Sequence, residues 1–452
     1  MKPYSQAAEY LVQLKSIEAQ INQNQLQQAS RQLTLLSKTA AHDPRLFLLG
    51  SRLAEASGNT KGVLDAARKA HQLAPQWPTA TLYLAGVLAN QNQPAEALAL
   101  AAQALQGDAD AALLTQGASV AQRLGRHDLV LSWLRRAEQL SPADVNLRHQ
   151  IARALTDTGD LAGAIALFTE LLGQQPENQV LLLDRLRVCL SAKQNDQAVK
   201  DAQALLAMEP GNEAYQFYLD MARGQTPKTQ PAALITGLFD DIAPRYDALW
   251  VVQLQYKLPR DVAQMISEWH PERQGDVLDL GCGTGLLGAC LGPMEGVLVG
   301  VDLSGNMLKQ ANLHRVYDSF HQVNVLAALQ ATPNDLYHVI AALDVLTYVG
   351  DLDPVVSNAH RILVPGGRLV FSCETGAEGG ADYALPTTYR YTHTRDYVQR
   401  LLAEAGFKEV DLQDRVLRYE AEQPVQGFLV VARKALQAKP KVARKRAPKT
   451  AT

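Results

Sequence analysis

Hydrophobic positions along the 452-residue chain follow two rhythms. From residue 275 onward, short apolar runs alternate with helical patterns. "DVLDL" (276–280), "GVLVGVDL" (296–303), "HQVNV" (321–325), "HVIAALDVL" (338–346) and "GGRLVFSCE" (366–374) read as strands. Helical patterns near 284–292, at 305–316 and at 352–363 fall between them, and a further one at 394–407 follows the fifth strand. "VDLQDRVLRY" and "QGFLVVAR" then form a closing β-hairpin. This alternation predicts a doubly wound α/β domain with a mainly parallel sheet. Upstream the rhythm is helical throughout. Pro142, Pro176 and Pro210 close successive helical patterns 34 residues apart, and Gly125, Gly159 and Lys193 fall halfway between, at the turns. Pro75 and Gly58 extend the series.

A period of 34 residues with a helix–turn–helix unit marks a repeat array. "DTGDLAGAIALFTELLGQQPEN" (157–178) resembles the second half of a tetratricopeptide repeat, with Gly159 at the turn, small Ala164 where helices touch, Phe168, and Pro176 at the end. Ala70, Ala97, Ala104, Ala137 and Ala198 fill other small-residue positions. The resemblance implies an α-solenoid of five or six repeats with a concave groove for a protein or peptide. The expected organisation is a solenoid over 1–223, a linker "GQTPKTQP" over 224–231, an α/β domain over 232–435 and a basic tail over 436–452.

Composition narrows the setting. Apolar residues make up 47% and charged residues 20%. No apolar run approaches the ~20 residues of a membrane span, and no apolar segment follows Met1, so a cytoplasmic protein is expected. Cys189, Cys282, Cys290 and Cys373 show no CxxC spacing, and no HExxH pair occurs, so no metal site is expected. Charge is uneven. Lys439, Lys441, Arg444, Lys445, Arg446 and Lys449 stand in an acid-free stretch, leaving 37 basic against 46 acidic residues elsewhere. Such a tail is expected to be disordered, serving for solubility or for contact with nucleic acid or another acidic partner.

The chemistry concentrates in "VLDLGCGTGLLG" (277–288), where three glycines alternate directly after an apolar run. Glycines so placed mark backbone that turns tightly or admits a ligand. A P-loop is excluded because no GK[ST] follows. A nicotinamide dinucleotide fits "GTGLLG" followed by Asp302 about 20 residues on. S-adenosylmethionine is favoured by Asp279, two residues before the first glycine and placed to face an ammonium, and by the closing hairpin.

"DVLDLGCGTGLLG", "GVDLSGNMLKQA" (300–311) and "LVPGGRLVFS" (363–372) resemble successive motifs of class I S-adenosylmethionine-dependent methyltransferases over about 200 residues. "LFDDIAPRYDALWVVQLQYKLP" (238–259) resembles the lid of the ubiquinone/menaquinone-biosynthesis methyltransferases. The whole chain, with "YRYTHTRDYV" and "LRYEAEQPVQG", is similar to bacterial tetratricopeptide-repeat methyltransferases. The resemblance implies that Gly281, Cys282, Gly283 and Gly285 let backbone approach the carboxypropyl end of the cofactor, while Asp279 balances its ammonium. Asp302, followed by Leu303, would take both ribose hydroxyls. Met307, Asn324 and Val325 would flank the adenine, with Tyr246 of the lid closing over the cofactor.

An activated methyl needs chiefly alignment, and an oxygen or amine acceptor also needs a base. His393 is the candidate by its ordinary pKa. Asp344 and Tyr348 after the fourth strand are the others, with Glu374 and Tyr391 near. "ALDVLTYV" (342–349) lacks the Asn/Asp-Pro-Pro-Tyr pattern of adenine and glutamine methylation. Three readings stay open: a protein or protein-carried acceptor brought by the repeats, a small or lipid-like acceptor with the repeats used for assembly, or a cofactor-binding adaptor without turnover.

Overall fold

The computed structural model describes residues 8–420 and 422–436. The basic stretch from Lys439 to Lys449 therefore lies outside the described residues. The chain divides into two compact units, Met1–Asp201 and Ala202–Thr452.

The first unit is a run of helices, from Ala8–Asn22 through Leu161–Gln174 to Gln179–Ser191. One residue at each intra-repeat turn takes a left-handed backbone: Asn24, Gly58, Asn92, Gly125, Gly159 and Lys193, spaced by 33 or 34. Asparagine tolerates this conformation better than most residues, so the asparagines carry the same turn as the glycines. They place six turns in the array, two more than glycine and lysine alone mark. Helix starts repeat as well. The side chains of Asp110, Asp144 and Asn178, each 34 residues after the last, accept backbone N–H groups of the first helical turn. Small residues fill the seams, with Ala67, Ala97, Ala137 and Ala164 fully buried. In the second unit the sequence of helices ends with Glu213–Ala222, capped by Asn212.

The second unit holds a nine-stranded sheet: β1 (Val277–Leu280), β2 (Leu298–Asp302), β3 (Ser319–Gln322), β4 (Tyr337–Ala342), β5 (Leu363–Thr375), β6 (Tyr383–Ala384), β7 (Thr392–His393), β8 (Phe407–Glu420) and β9 (Gln423–Lys434). The parallel part runs β3-β2-β1-β4-β5. β9 then pairs antiparallel with β5, and β8 with β9, which is the expected hairpin. The short β7–β6 pair lies against the end of β5 at Glu374 and Thr375. One face is covered by helices Val325–Ala331, Asp353–Ile362 and Arg395–Ala405 around Ile340, Leu369 and Phe371. The other packs helices Leu258–Trp269 and Leu286–Leu291 on Val277, Val339 and Val370. The third strand sits two residues earlier than the apolar run suggests. Asn324 therefore leaves the strand and caps the next helix, its side chain accepting the Leu326 N–H at 2.8 Å.

Candidate active site

Switching from β1–β2–β3 to β4–β5 opens a crevice at the carboxyl ends of the strands, where ligands of open α/β sheets bind. The backbone after β1 turns through three left-handed glycines, Gly281 (φ 66°), Gly283 (φ 54°) and Gly285 (φ 81°). A Cβ on Gly281 would come within 2.4 Å of Val345 Cγ2, so no other residue fits there. β2 ends in Asp302, whose Oδ2 accepts the Gly283 N–H at 2.9 Å and whose Oδ1 accepts the Ser304 N–H at 2.8 Å. Burial raises the Asp302 pKa, and these backbone donors oppose the rise. Each oxygen keeps acceptor capacity for a further hydroxyl.

A cavity open to solvent on one side adjoins this loop. Gly281, Gly283, Asp302, Leu303, Met307, Asn324, Val325, Asp344, Tyr348 and Tyr246 line it together. Asp279, Cys282 and Gly285 do not line it. Asp279 is buried behind it with Oδ2 accepting the Tyr317 hydroxyl proton at 2.7 Å, and burial pushes its carboxyl up to about 7. Cys282 is buried, and Gly285 starts the helix Leu286–Leu291.

The lid is one α-helix, Ala232–Ile242, then a 3-10 turn and a π-helix, Ala248–Gln253. π-helical turns are rare and concentrate at functional sites. This one stacks Trp250 on Tyr246, ring centroids 4.4 Å apart and 15° from parallel. Phe239 meets Tyr348 edge-on at 5.6 Å. Two aspartates fasten the lid to the cavity rim: Ser304 Oγ donates to Asp240 and Thr284 Oγ1 to Asp247, both at 2.5 Å.

Asp344 stands at the aromatic end. Its Oδ2 accepts the Trp250 indole N–H at 3.3 Å and its Oδ1 accepts from Arg418 Nη1 at 2.9 Å. Burial pushes its carboxyl up to about 6, against Arg390 and the indole. Tyr348 stands within the influence of Arg390, and burial raises its hydroxyl above the ordinary phenol range.

His393 departs from the sequence-based expectation. It lies not in an open loop but on β7, fully buried, and does not line the cavity. Its Nε2 stands 2.9 and 3.1 Å from the carbonyl oxygens of Val349 and Gly350. Carbonyls only accept, so Nε2 carries the proton and the ring is neutral. Burial lowers its pKa to about 4. A base must reach its substrate, and among the described residues this ring hydrogen-bonds only backbone and packs on Tyr397. Tyr391 is likewise buried, donating to the Pro227 carbonyl at 2.9 Å, and Glu374 faces Arg418. The sequence reading gives no role to Trp250, Asp240, Asp247, Arg390, Arg418 or Glu420, although the lid stretch contains the first three and the stretches "YRYTHTRDYV" and "LRYEAEQPVQG" contain the others.

Glycine loop, strand-end acid, sheet order and closing hairpin define a class I S-adenosylmethionine-dependent methyltransferase domain, preceded by tetratricopeptide repeats. The family described as methyltransferase domain matches residues 278–369, and the tetratricopeptide repeat family matches 155–219. The ubiquinone biosynthesis O-methyltransferase of Thiobacillus denitrificans is 28% identical over 228 residues, 44% of this chain and 95% of that protein. The biotin biosynthesis bifunctional protein of Saccharophagus degradans is 29% identical over 216 residues, 43% of this chain but only 38% of that protein. Among solved structures, the magnesium protoporphyrin IX methyltransferase of Synechocystis with bound SAH aligns over 45% of this chain and 99% of its own, at 16% identity and TM-score 0.36. The donor of this domain class is S-adenosylmethionine. The cavity fits it: carboxylate at the strand end, apolar flank at Leu303, Met307 and Val325, and a loop that a single Cβ would obstruct. Among the described residues no group of His, Cys, Asp and Glu could hold a metal, and no helix is long and apolar enough to cross a membrane.

Proposed function

We propose that the chain methylates a protein or protein-carried acceptor brought by the repeats. The observation that carries this reading is the repeat array itself. Its helices leave hollows lined by Tyr83, Asn90, Gln116 and Arg123, and by Gln122 and Arg153. An array of this kind builds an extended concave surface suited to another chain.

S-adenosylmethionine supplies a methyl already activated on a sulfonium. The chain's own residues bind and orient. Asp302 would receive the ribose hydroxyls, Leu303, Met307 and Val325 would sandwich the base, and Asn324 would meet its edge. The Gly281–Gly285 backbone would follow the amino-acid end, with Asp279 behind it. Tyr246, Phe239 and Tyr348 exclude water from the transfer end, which strengthens charge interactions there. Asp344 is the group that takes the acceptor's proton, since its carboxylate lies at the cavity and its pKa is near the working range.

A second reading, a small or lipid-like acceptor, is supported by the relative that is an O-methyltransferase of ubiquinone biosynthesis and by the apolar walls Ile235, Phe239 and Val349. Full-length protein, methyl-tritiated S-adenosylmethionine and a cell extract separate the two. Label in the protein precipitate supports the first reading, and label only in the organic extract overturns it.

A further inference from the structure

Beside the cavity a charge cluster is built around Arg418. Its side chain is 1% exposed. Nη1 donates to Asp344 Oδ1 at 2.9 Å, Nη2 to Glu374 Oε1 at 2.5 Å and Nε to Glu420 Oε1 at 2.7 Å. Arg390 Nη1 joins through Glu420 Oε1 at 2.6 Å. A guanidinium keeps its charge, and burial is tolerable only when its donors meet carboxylates in good geometry. Here the acids come from three places: the turn after β4, the end of β5 and the end of β8.

An irregularity in β8 aims the arginine inward. Pairing with β9 passes from Val416↔Gln426 to Arg418↔Val425, so β8 holds one extra residue at Leu417. In a regular strand neighbours point to opposite faces. With the bulge, Leu417 and Arg418 are both buried, at 2% and 1%. Bulges are found beside active sites because they redirect a side chain in this way.

Asp344 is equally constrained. Its backbone is left-handed (φ 53°), a conformation a non-glycine residue keeps only where its surroundings impose it. Its N–H donates to Ser372 Oγ at 2.8 Å. The two carboxylate oxygens differ. Oδ1 is held by Arg418 at 2.9 Å, whereas among the described residues Oδ2 has only the indole at 3.3 Å, outside the usual 2.7–3.2 Å range.

We propose that Arg418 is a positioning residue for methyl transfer: it anchors the Asp344 carboxylate through Oδ1, keeping Oδ2 ionised and free for the acceptor's proton. This rests on the reading of the cavity as the donor site. Asp344 is faced by Arg418 and Glu420 from β8, by Glu374 from β5, and by Arg390 from the segment before β7. Tyr348 faces it from the turn after β4, and Tyr246, Trp250 and Tyr256 from the lid. The tyrosines are neutral, since burial raises each of them. Without Arg418, one cation faces three carboxylates, and Asp344 takes up a proton at higher pH.

Two probes read this without any acceptor. S-adenosylhomocysteine lacks the methyl, whereas sinefungin carries an amine in its place, which gains from an ionised Asp344. In calorimetry on the full chain, the wild type prefers sinefungin by about tenfold at pH 8, the size of one charge-assisted contact. That preference fades as pH falls through about 6. In Arg418→Gln the fading moves up by about 1 pH unit or more, with S-adenosylhomocysteine affinity within about threefold of wild type. Arg418→Lys keeps the buried charge and with it the fold, but loses the fork, and moves the same midpoint by a smaller amount. An unchanged midpoint in either folded variant overturns the proposal. Binding of neither probe by the wild type overturns the donor-site reading instead.

Discussion

Oδ2 of Asp302 accepts the Gly283 N–H at 2.9 Å, so the acid at the end of β2 also braces the glycine loop after β1. One carboxylate thereby shapes the loop and, in the proposed donor site, would also receive the ribose. Asp302→Ala is expected to weaken S-adenosylhomocysteine binding about 10- to 100-fold, the loss of charged acceptors worth about 1.5–3 kcal/mol. The assay is thermal stabilisation by ligand, and an unaltered shift in the variant contradicts the assignment.

The lid is fastened at Asp240 and Asp247, and Thr284 is almost fully buried beneath the second of these. Thr284→Val leaves Asp247 without its hydroxyl donor. The expected result is release of S-adenosylhomocysteine about fivefold faster, from a contact worth about 1 kcal/mol. Stopped-flow displacement measures it, and equal release rates would show that the lid is held elsewhere.

His393 illustrates a limit of reading along the chain. "YRYTHT" looks polar and loop-like, and its burial arises only because β6 and β7 fold against the end of β5. Arg418 is hidden for a similar reason, since a one-residue bulge reverses which face it occupies. By contrast, the glycine loop, Asp302 and the repeat period were legible because each is a local backbone requirement. Asn24 and Asn92 were the partial cases, because asparagine performs the glycine turn without looking like it.

Neutral His393 has a consequence for acid stability. Its folded pKa lies near 4, below the ordinary value of 6.5. The unfolded chain therefore binds the proton first, and stability present above pH 6.5 is lost as pH falls toward 4. The slope integrates to about 3 kcal/mol. Denaturant melts of His393→Gln at pH 7 and pH 5 are expected to show a smaller pH dependence than wild type, while the pH dependence of sinefungin binding is unchanged. An altered binding profile would return His393 to the site.

Gly159 turns at φ 85°, and the position a Cβ would take there has no atom within 4 Å, so substitution probes backbone alone. Gly159→Ala is expected to destabilise the first unit by about 1 kcal/mol, the left-handed penalty. Lys193→Gly, in the same turn one repeat on at φ 56°, should be neutral or mildly stabilising, because the penalty removed exceeds the added chain entropy. Guanidinium melts distinguish these, and a destabilised Lys193→Gly would mean that the turns are not equivalent.

Calorimetric titration of the full chain with S-adenosylhomocysteine and, separately, with NAD tests the donor site most directly, because the glycine loop and Asp302 alone are compatible with both. A loop that braces Asp302, a cavity floored by Met307 and an aromatic lid over Asp344 require saturable binding of S-adenosylhomocysteine and none of NAD. Binding of NAD with no response to S-adenosylhomocysteine would contradict the methyl-donor site.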